Sequence, residues 1–199
     1  LASRDTRLLK AQLDAIDWSV LEQIERKETV NERGVFAPLE AVETEEIERR
    51  RDEFRELGIK AIREGKVGAV LLAGGQGTRL GLDRPKGTLN IGIRRELFLF
   101  QQLIRNLMDV TDEAGAYVPL YIMTSNINHD DTQAFFEEHG YFGYPKEYVK
   151  FFVQEMEPAC DYQGRVYMES RTRVAMSPNG NGGWFGSMVN AGLLSDIRS

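Results

Sequence analysis

Four glycines and two cations crowd into one short stretch: Gly74, Gly75, Gly77, Arg79, Gly81 and Lys86, the last preceded by Pro85. They follow an apolar run, Val67 to Ala73, short enough for a strand buried on both faces. Glycines after a buried strand let the backbone turn sharply and bring its N–H groups close to a ligand without a Cβ in the way. Converging N–H groups make a concave anion site. With Arg79 and Lys86 beside them, the chemistry indicated is the binding of a polyphosphate. Two other glycine loops are excluded by spacing. A P-loop needs Lys directly after its last glycine, whereas Lys86 precedes Gly87. A dinucleotide fingerprint started at Gly75 and Gly77 needs a third glycine where Leu80 stands.

The elements around this stretch must hold it in place. Leu9, Leu13, Ile16, Val20 and Ile24 mark one face of a helix, and Asn31 to Gly34 breaks the pattern. A second helix is expected from about Thr44, as N-cap, to Lys60 or beyond, with a thin apolar face and a solvated charged one. After the loop come a helix over Leu97–Met108 and a strand over Val118–Met123 ending in Thr124-Ser125-Asn126. A helix over Asp130–His139 closes at Gly140, and a strand follows over Val149–Val153. This alternation predicts an α/β fold with a doubly wound, mostly parallel Rossmann-like sheet behind an α-helical N-terminal prefix. In such sheets ligands bind beyond the carboxyl ends of the strands, so Gly74, Thr124 and Gln154 should converge on one crevice. Val166–Met168 and Arg173–Met176 read as an antiparallel excursion around Ser170-Arg171, and Trp184–Ala191 as a helix.

Composition bounds the partners. The chain has 199 residues, 42% hydrophobic and 28% charged, with a net charge of −6. One α/β domain is the default at this length. The acidic balance argues against a nucleic-acid or acidic-membrane surface, and a small anionic ligand suits the local cationic loop better. Cys160 is the only cysteine, which fits a reducing cytoplasm. The chain shows no apolar stretch of membrane-spanning length, and its start is too polar for a signal peptide. His129 and His139 are read as surface residues, and Asp130-Asp131 as compensation of a helix dipole.

The run Leu72-Ala-Gly-Gly-Gln-Gly-Thr-Arg-Leu-Gly-x-x-x-Pro-Lys-Gly87 resembles the signature of the UDP-sugar pyrophosphorylases. Gln76 is similar to the UDP-N-acetylglucosamine branch of that family, since the UDP-glucose branch tends to carry Leu there. The resemblance covers residues 67 to 192. It implies a uridylyltransferase (nucleotidyltransferase-type fold) that makes a UDP-sugar and pyrophosphate from UTP and a sugar 1-phosphate, N-acetylglucosamine 1-phosphate foremost. In that reading Gly74, Gly75, Gln76, Gly77 and Thr78 cradle phosphates. Arg79 holds the leaving pyrophosphate and Lys86 stabilises charge at the α-phosphate. Gln154, in Phe-Phe-x-Gln-x-Met-x-Pro-Ala, reads the uracil edge.

Ser177 to Gly183 is by composition open to being a mere flexible turn. The family, however, carries a Pro-x-Gly-Asn-Gly-Gly element that holds uridine and sugar, which here points to Gly180, Asn181 and Gly182. Mg²⁺ is expected, with its aspartate ligand and a second lysine on a later strand outside this chain. Asp196 does not match that aspartate's surroundings. The expectation is therefore a helical segment over 1–65 and, over 66–199, the N-terminal part of a catalytic domain whose C-terminal half lies elsewhere in the polypeptide. The 199 residues alone are then expected to be inactive. Ile93-Arg94-Arg95-Glu96 departs from the small and hydroxyl residues usual in the family before Leu-Phe. The alternatives are a nucleotide-binding module without turnover and a pyrophosphorylase for glucose or galactose.

Overall fold

The computed structural model describes residues 3–16, 18, 37–75, 81 and 83–198. Two compact units are present, Leu1–Ala41 with Met156–Asn179 and Val42–Glu155 with Gly180–Ser199.

The second unit is built on three parallel strands in the order β1-β2-β3: β1 Ala69–Leu72, β2 Leu120–Thr124 and β3 Val149–Val153. Leu71 stands opposite Ile122, and Ile122 opposite Phe151. All five residues of β2 are buried. That explains its unbroken apolar run, because alternate side chains leave opposite faces and both faces are covered. On one face Leu120 and Ile122 pack with Phe100 and Ile104 of helix α4 (Leu99–Ala114) and Phe136 of helix α5 (His129–Glu138). On the other, Tyr121 and Met123 join Phe152 and Met188 of helix α6 (Trp184–Asn190). Helices therefore cover both faces, as a doubly wound α/β fold requires.

Strand β1 departs from the expectation of burial on both faces. It alternates, with Val70 and Leu72 each about two-fifths exposed (38% and 39%). Ala69 and Leu71 join the α4–α5 face, and the cluster under α6 stops at β2 and β3.

The helix expected from Thr44 to Lys60 is two helices, α2 Thr44–Arg49 and α3 Arg51–Arg63. Arg50 breaks them apart at φ −106°, ψ 19°, and its guanidinium pairs with Glu46 at 3.0 Å and Glu53 at 2.6 Å. Glu43, not Thr44, is the N-cap, and no side chain caps the helix. Helix α4 begins two residues later than expected and runs six residues further. Asn90 Oδ1 accepts from the N–H groups of Gly92 and Leu97 and holds 91–97 out of the helix. Gln101 Oε1 accepts from the Phe98 N–H at 3.4 Å, half of a capping box, since Phe98 has no acceptor to return. At the other end Gly115 turns left-handed at φ 65°, and Arg63 Nε donates to the Ala114 carbonyl at 2.7 Å.

Between α5 and β3 four consecutive residues, Gly140 to Gly143, have positive φ, including Tyr141 (52°) and Phe142 (56°). Each non-glycine residue there costs about 1–2 kcal/mol. Packing of both rings into the α4–α5 core offsets that cost.

The first unit holds α1 (Ser3–Asp14) and two antiparallel strand pairs. Strands β5 (Met168–Ser170) and β6 (Arg173–Val174) form an antiparallel pair, with β5 two residues later than the expected Val166–Met168 and Ser170 inside it. Strands β4 (Met156–Pro158) and β7 (Met176–Pro178) pair outside it, a ladder that the sequence pattern did not indicate. Gln12 fastens α1 to the excursion: Nε2 donates to the Thr172 carbonyl at 3.0 Å and Oε1 accepts from the Val174 N–H at 3.0 Å. Val20, Ile24 and Asn31 to Gly34 lie outside the described residues.

Candidate functional site

The carboxyl ends of β1, β2 and β3 converge as the strand order demands. The Ala73 N–H donates to the Met123 carbonyl at 2.7 Å, and the Gln154 N–H to the Thr124 carbonyl at 2.8 Å. These bonds extend the ladder one step past the strands and set Gly74 beside Gln154. A Cβ on Gly74 would lie 2.8 Å from Gln154 Oε1 and 3.1 Å from Nε2. A side chain at position 74 would displace the Gln154 amide from where it stands. Gln154 is 7% exposed, and among the described residues its side-chain amide makes no hydrogen bond. A buried amide free at both ends can donate and accept at once.

Lys86 is fixed by its backbone. Its N–H donates to the Gly75 carbonyl at 3.3 Å, joining the two ends of the glycine loop. Residues Lys86–Thr88 form a 3-10 turn behind the fully buried Pro85. Thr88 Oγ1 donates to the Pro85 carbonyl at 2.8 Å, and Gly87 sits directly on the Phe100 ring. The Lys86 residue itself is exposed, and among the described residues its ammonium has no ion pair. A cation held at the backbone and exposed at its tip is available to an anion. A cleft of about 210 Å³ lies alongside, lined by Leu72, Gly75, Lys86, Gly87, Phe100 and Leu103. A larger cavity of about 530 Å³, lined by Arg84, Asn90, Glu96, Phe98, Glu138 and His139, includes none of the loop glycines. We place the site by the strand ends, not by cavity size.

The second loop is attached through Ser187. Its hydroxyl donates to the Gly183 carbonyl at 3.0 Å and accepts from the Glu155 N–H at 2.9 Å. Glu155, next to Gln154, accepts in turn from Asn190 Nδ2. Gly180 has φ 78°, which favours glycine, and Asn181–Gly183 is a 3-10 turn leading into α6. Gly180, Asn181 and Gly182 are exposed. Ser187 is 2% exposed, so Ser187→Ala strands a part-buried N–H and a part-buried carbonyl. It should lower unfolding free energy by about 1–3 kcal/mol, read as a lower urea midpoint at unchanged slope. A midpoint equal to wild type would show that the bridge carries nothing.

Beneath the crevice, Thr124 Oγ1 donates to the Phe152 carbonyl at 3.1 Å. Its contact with His129 Nδ1 at 2.6 Å then needs the proton on Nδ1, leaving Nε2 to accept from Gln133. His139 stacks with Phe142 and lies across Phe135 and Phe98. Both histidines are half-buried, correcting the reading of them as surface residues. Asp130 and Asp131 are exposed in the first turn of α5. Gln76, Gly77, Thr78 and Arg79 lie outside the described residues. Among the described residues no group of three or more His, Cys, Asp or Glu could hold a metal ion, and the crevice residues named above offer no carboxylate set that fits Mg²⁺.

Sequence reading missed Asn128 and Ser187. Asn128 precedes a helix and reads simply as an N-cap, and Ser187 lies inside one, where serine carries no signal.

A family model described as UTP–glucose-1-phosphate uridylyltransferase matches residues 4–199. UDP-N-acetylglucosamine diphosphorylase 2 of Arabidopsis thaliana is 36% identical over 217 residues, covering all of this chain and 43% of that protein. UDP-N-acetylglucosamine pyrophosphorylase of Saccharomyces cerevisiae is 40% identical over 154 residues, 75% of this chain and 32% of that protein. The crystal structure of the uridine diphosphate N-acetylglucosamine pyrophosphorylase of Trypanosoma brucei, in complex with an inhibitor, superposes with a TM-score of 0.70 at 31% identity. It covers 94% of this chain and 40% of that one. The chain thus spans less than half the length of these relatives.

Proposed function

The chain belongs to the UTP–glucose-1-phosphate uridylyltransferase family, and from that premise we propose that the protein transfers a uridylyl group from UTP to a sugar 1-phosphate. N-acetylglucosamine 1-phosphate is the proposed acceptor, because the relatives above bear that sugar in their names. A phosphate oxygen of the sugar 1-phosphate attacks the α-phosphorus of UTP. The bond to the bridging oxygen breaks, and pyrophosphate leaves. Positioning and charge neutralisation carry most of such a transfer.

The observation that supports the reading is the buried Gln154 amide packed on Gly74 at the mouth of the glycine loop, without a hydrogen bond among the described residues. The amide suits the donor–acceptor edge of uracil. Gly74 and Gly75, with Gln76, Gly77 and Thr78, are assigned to the phosphates, Lys86 to the α-phosphate and Arg79 to the departing pyrophosphate. Gly180, Asn181 and Gly182 are assigned to nucleotide and sugar, tied to Gln154 through Ser187 and Glu155. Mg²⁺ is the proposed metal, and it would supply neutralisation of phosphate charge. The described crevice has no carboxylate set that would hold it, and no step above depends on it.

Residues 1–65 are proposed as a helical segment and 66–199 as the N-terminal part of the catalytic domain, within a longer polypeptide. The proposed compartment is the cytoplasm. Among the described residues no helix is long and apolar enough to cross a membrane.

Calorimetry on the full-length protein tests the base assignment. UTP should bind at least about tenfold more tightly than ATP, since a site built to hydrogen-bond one edge leaves polar groups unpaired with another. Equal or tighter ATP binding would overturn it. UTP binding without pyrophosphate release on addition of N-acetylglucosamine 1-phosphate would favour a nucleotide-binding module instead.

A further inference from the structure

The geometry points to Asn128 as a positioning residue for the glycine loop, resting on the reading of that loop as the nucleotide's phosphate site. Asn128 is the N-cap of α5, where an asparagine ordinarily accepts from the helix's own first-turn N–H groups. Here its side chain makes no capping bond. It is wholly buried, at 0% exposure, and is turned to the other side. Oδ1 accepts from the Ser125 N–H at 2.8 Å, and Nδ2 donates to the Ala73 carbonyl at 3.0 Å. The amide must face this way, because only its nitrogen can donate to the carbonyl.

Ala73 is the last residue before Gly74-Gly75. Its N–H is held by the Met123 carbonyl, so Asn128 secures the other side of the same residue across 55 positions of sequence. The direction in which the glycine loop leaves β1 is thereby fixed from β2 and α5. The same step decides where Gly74 meets Gln154 and where the Gly75 carbonyl meets the Lys86 N–H. Asn128 touches no substrate; it acts through Ala73.

Two variants of the full-length protein test this. In Asn128→Asp one oxygen still accepts from Ser125, and the other can donate to Ala73 only when protonated. A carboxyl buried there titrates above its ordinary range. UTP should bind Asn128→Asp within about threefold of wild type at pH 5.5 and at least about tenfold more weakly at pH 8, as an unmade buried hydrogen bond implies. The titratable groups around this position are His129, Asp130 and Asp131 in the first turn of α5 and Lys86 across the loop. All are present in wild type, whose own profile is the control.

Asn128→Ala loses both bonds at every pH. It should weaken UTP binding without that pH dependence, and speed hydrogen exchange at the Ala73 and Lys86 amides, which donate to the Met123 and Gly75 carbonyls, by about tenfold or more relative to wild type. Wild-type affinity of Asn128→Asp at pH 8, an equal loss at both pH values, or unchanged exchange in Asn128→Ala would overturn the assignment. Should Asn128→Asp not fold at pH 8, exchange in Asn128→Ala decides alone. Faster exchange in a protein whose wild type binds no UTP would uphold Asn128 and overturn the functional reading instead.

Discussion

Lys86→Ala in the full-length protein should lower kcat/KM by about 10²–10³, or about 3–4 kcal/mol, with the melting temperature unchanged. The two halves of this expectation rest on different facts. Stability should hold because the Lys86 side chain is exposed and has no ion pair among the described residues. Its backbone bond to Gly75 and the turn through Thr88 survive in alanine. Rate should fall because charge on the phosphates grows toward the transition state, and a cation fixed at its base meets that charge without reorganising. The loss therefore belongs mainly in kcat, not KM. A merely solvated charge would cost at most about 1 kcal/mol of anything. A fall of less than about fivefold, under about 1 kcal/mol, would place Lys86 in that class. Arg79→Ala, measured alongside, should behave in the same way.

Gly87→Ala should damage stability and rate together, and so serves as the counterpart to Lys86→Ala. Gly87 is buried, and a Cβ there would lie 2.2 Å from two carbons of the Phe100 ring. Phe100 has little room to retreat. It is 2% exposed, packs with Ile104 and Ile122, and lies 5.0 Å from the Phe136 ring centre. Overpacking of this kind costs about 1–3 kcal/mol. If the turn lifts instead, the Lys86 N–H leaves the Gly75 carbonyl and the ammonium moves with it. A displacement of about 1 Å in a positioning group can cost roughly 10²-fold in rate. Gly87→Ala with Phe100→Leu should recover part of both losses, since the two residues share one contact and are not additive. Wild-type melting and rate in the single variant would show that the core accommodates the methyl and would remove the account of the turn.

The contrast between these two neighbours marks how far the sequence can be read. Lys86 was legible because charge type and spacing are written in one dimension: a lysine after a proline, beside a glycine cluster that follows an apolar run. The parallel sheet was legible for the same reason, since a strand covered on both faces reads as an apolar run, as β2 does from Leu120 to Met123. Gly74 and Gln154 could be assigned to one crevice because parallel strands deliver their carboxyl ends to one side.

What only the tertiary structure decided depends on contacts between residues far apart in the chain. Nothing local indicates that Gly87 faces Phe100 or that Gly74 shares its space with Gln154. The half-cover of β1 was equally hidden, because Val70 and Leu72 are as apolar as their buried neighbours. The break at Arg50 and the late start of α4, held back by Asn90, were hidden too, although there the contacts are local. Asn128 and Ser187 show the reason most plainly. Each is a small polar residue with an ordinary local role, and each acquires another by reaching a carbonyl that a strand pairing or a turn has brought within 3.0 Å. Residue type and spacing determined what chemistry the chain could hold. Side-chain packing and long-range hydrogen bonds, which no periodicity encodes, decided where it is held.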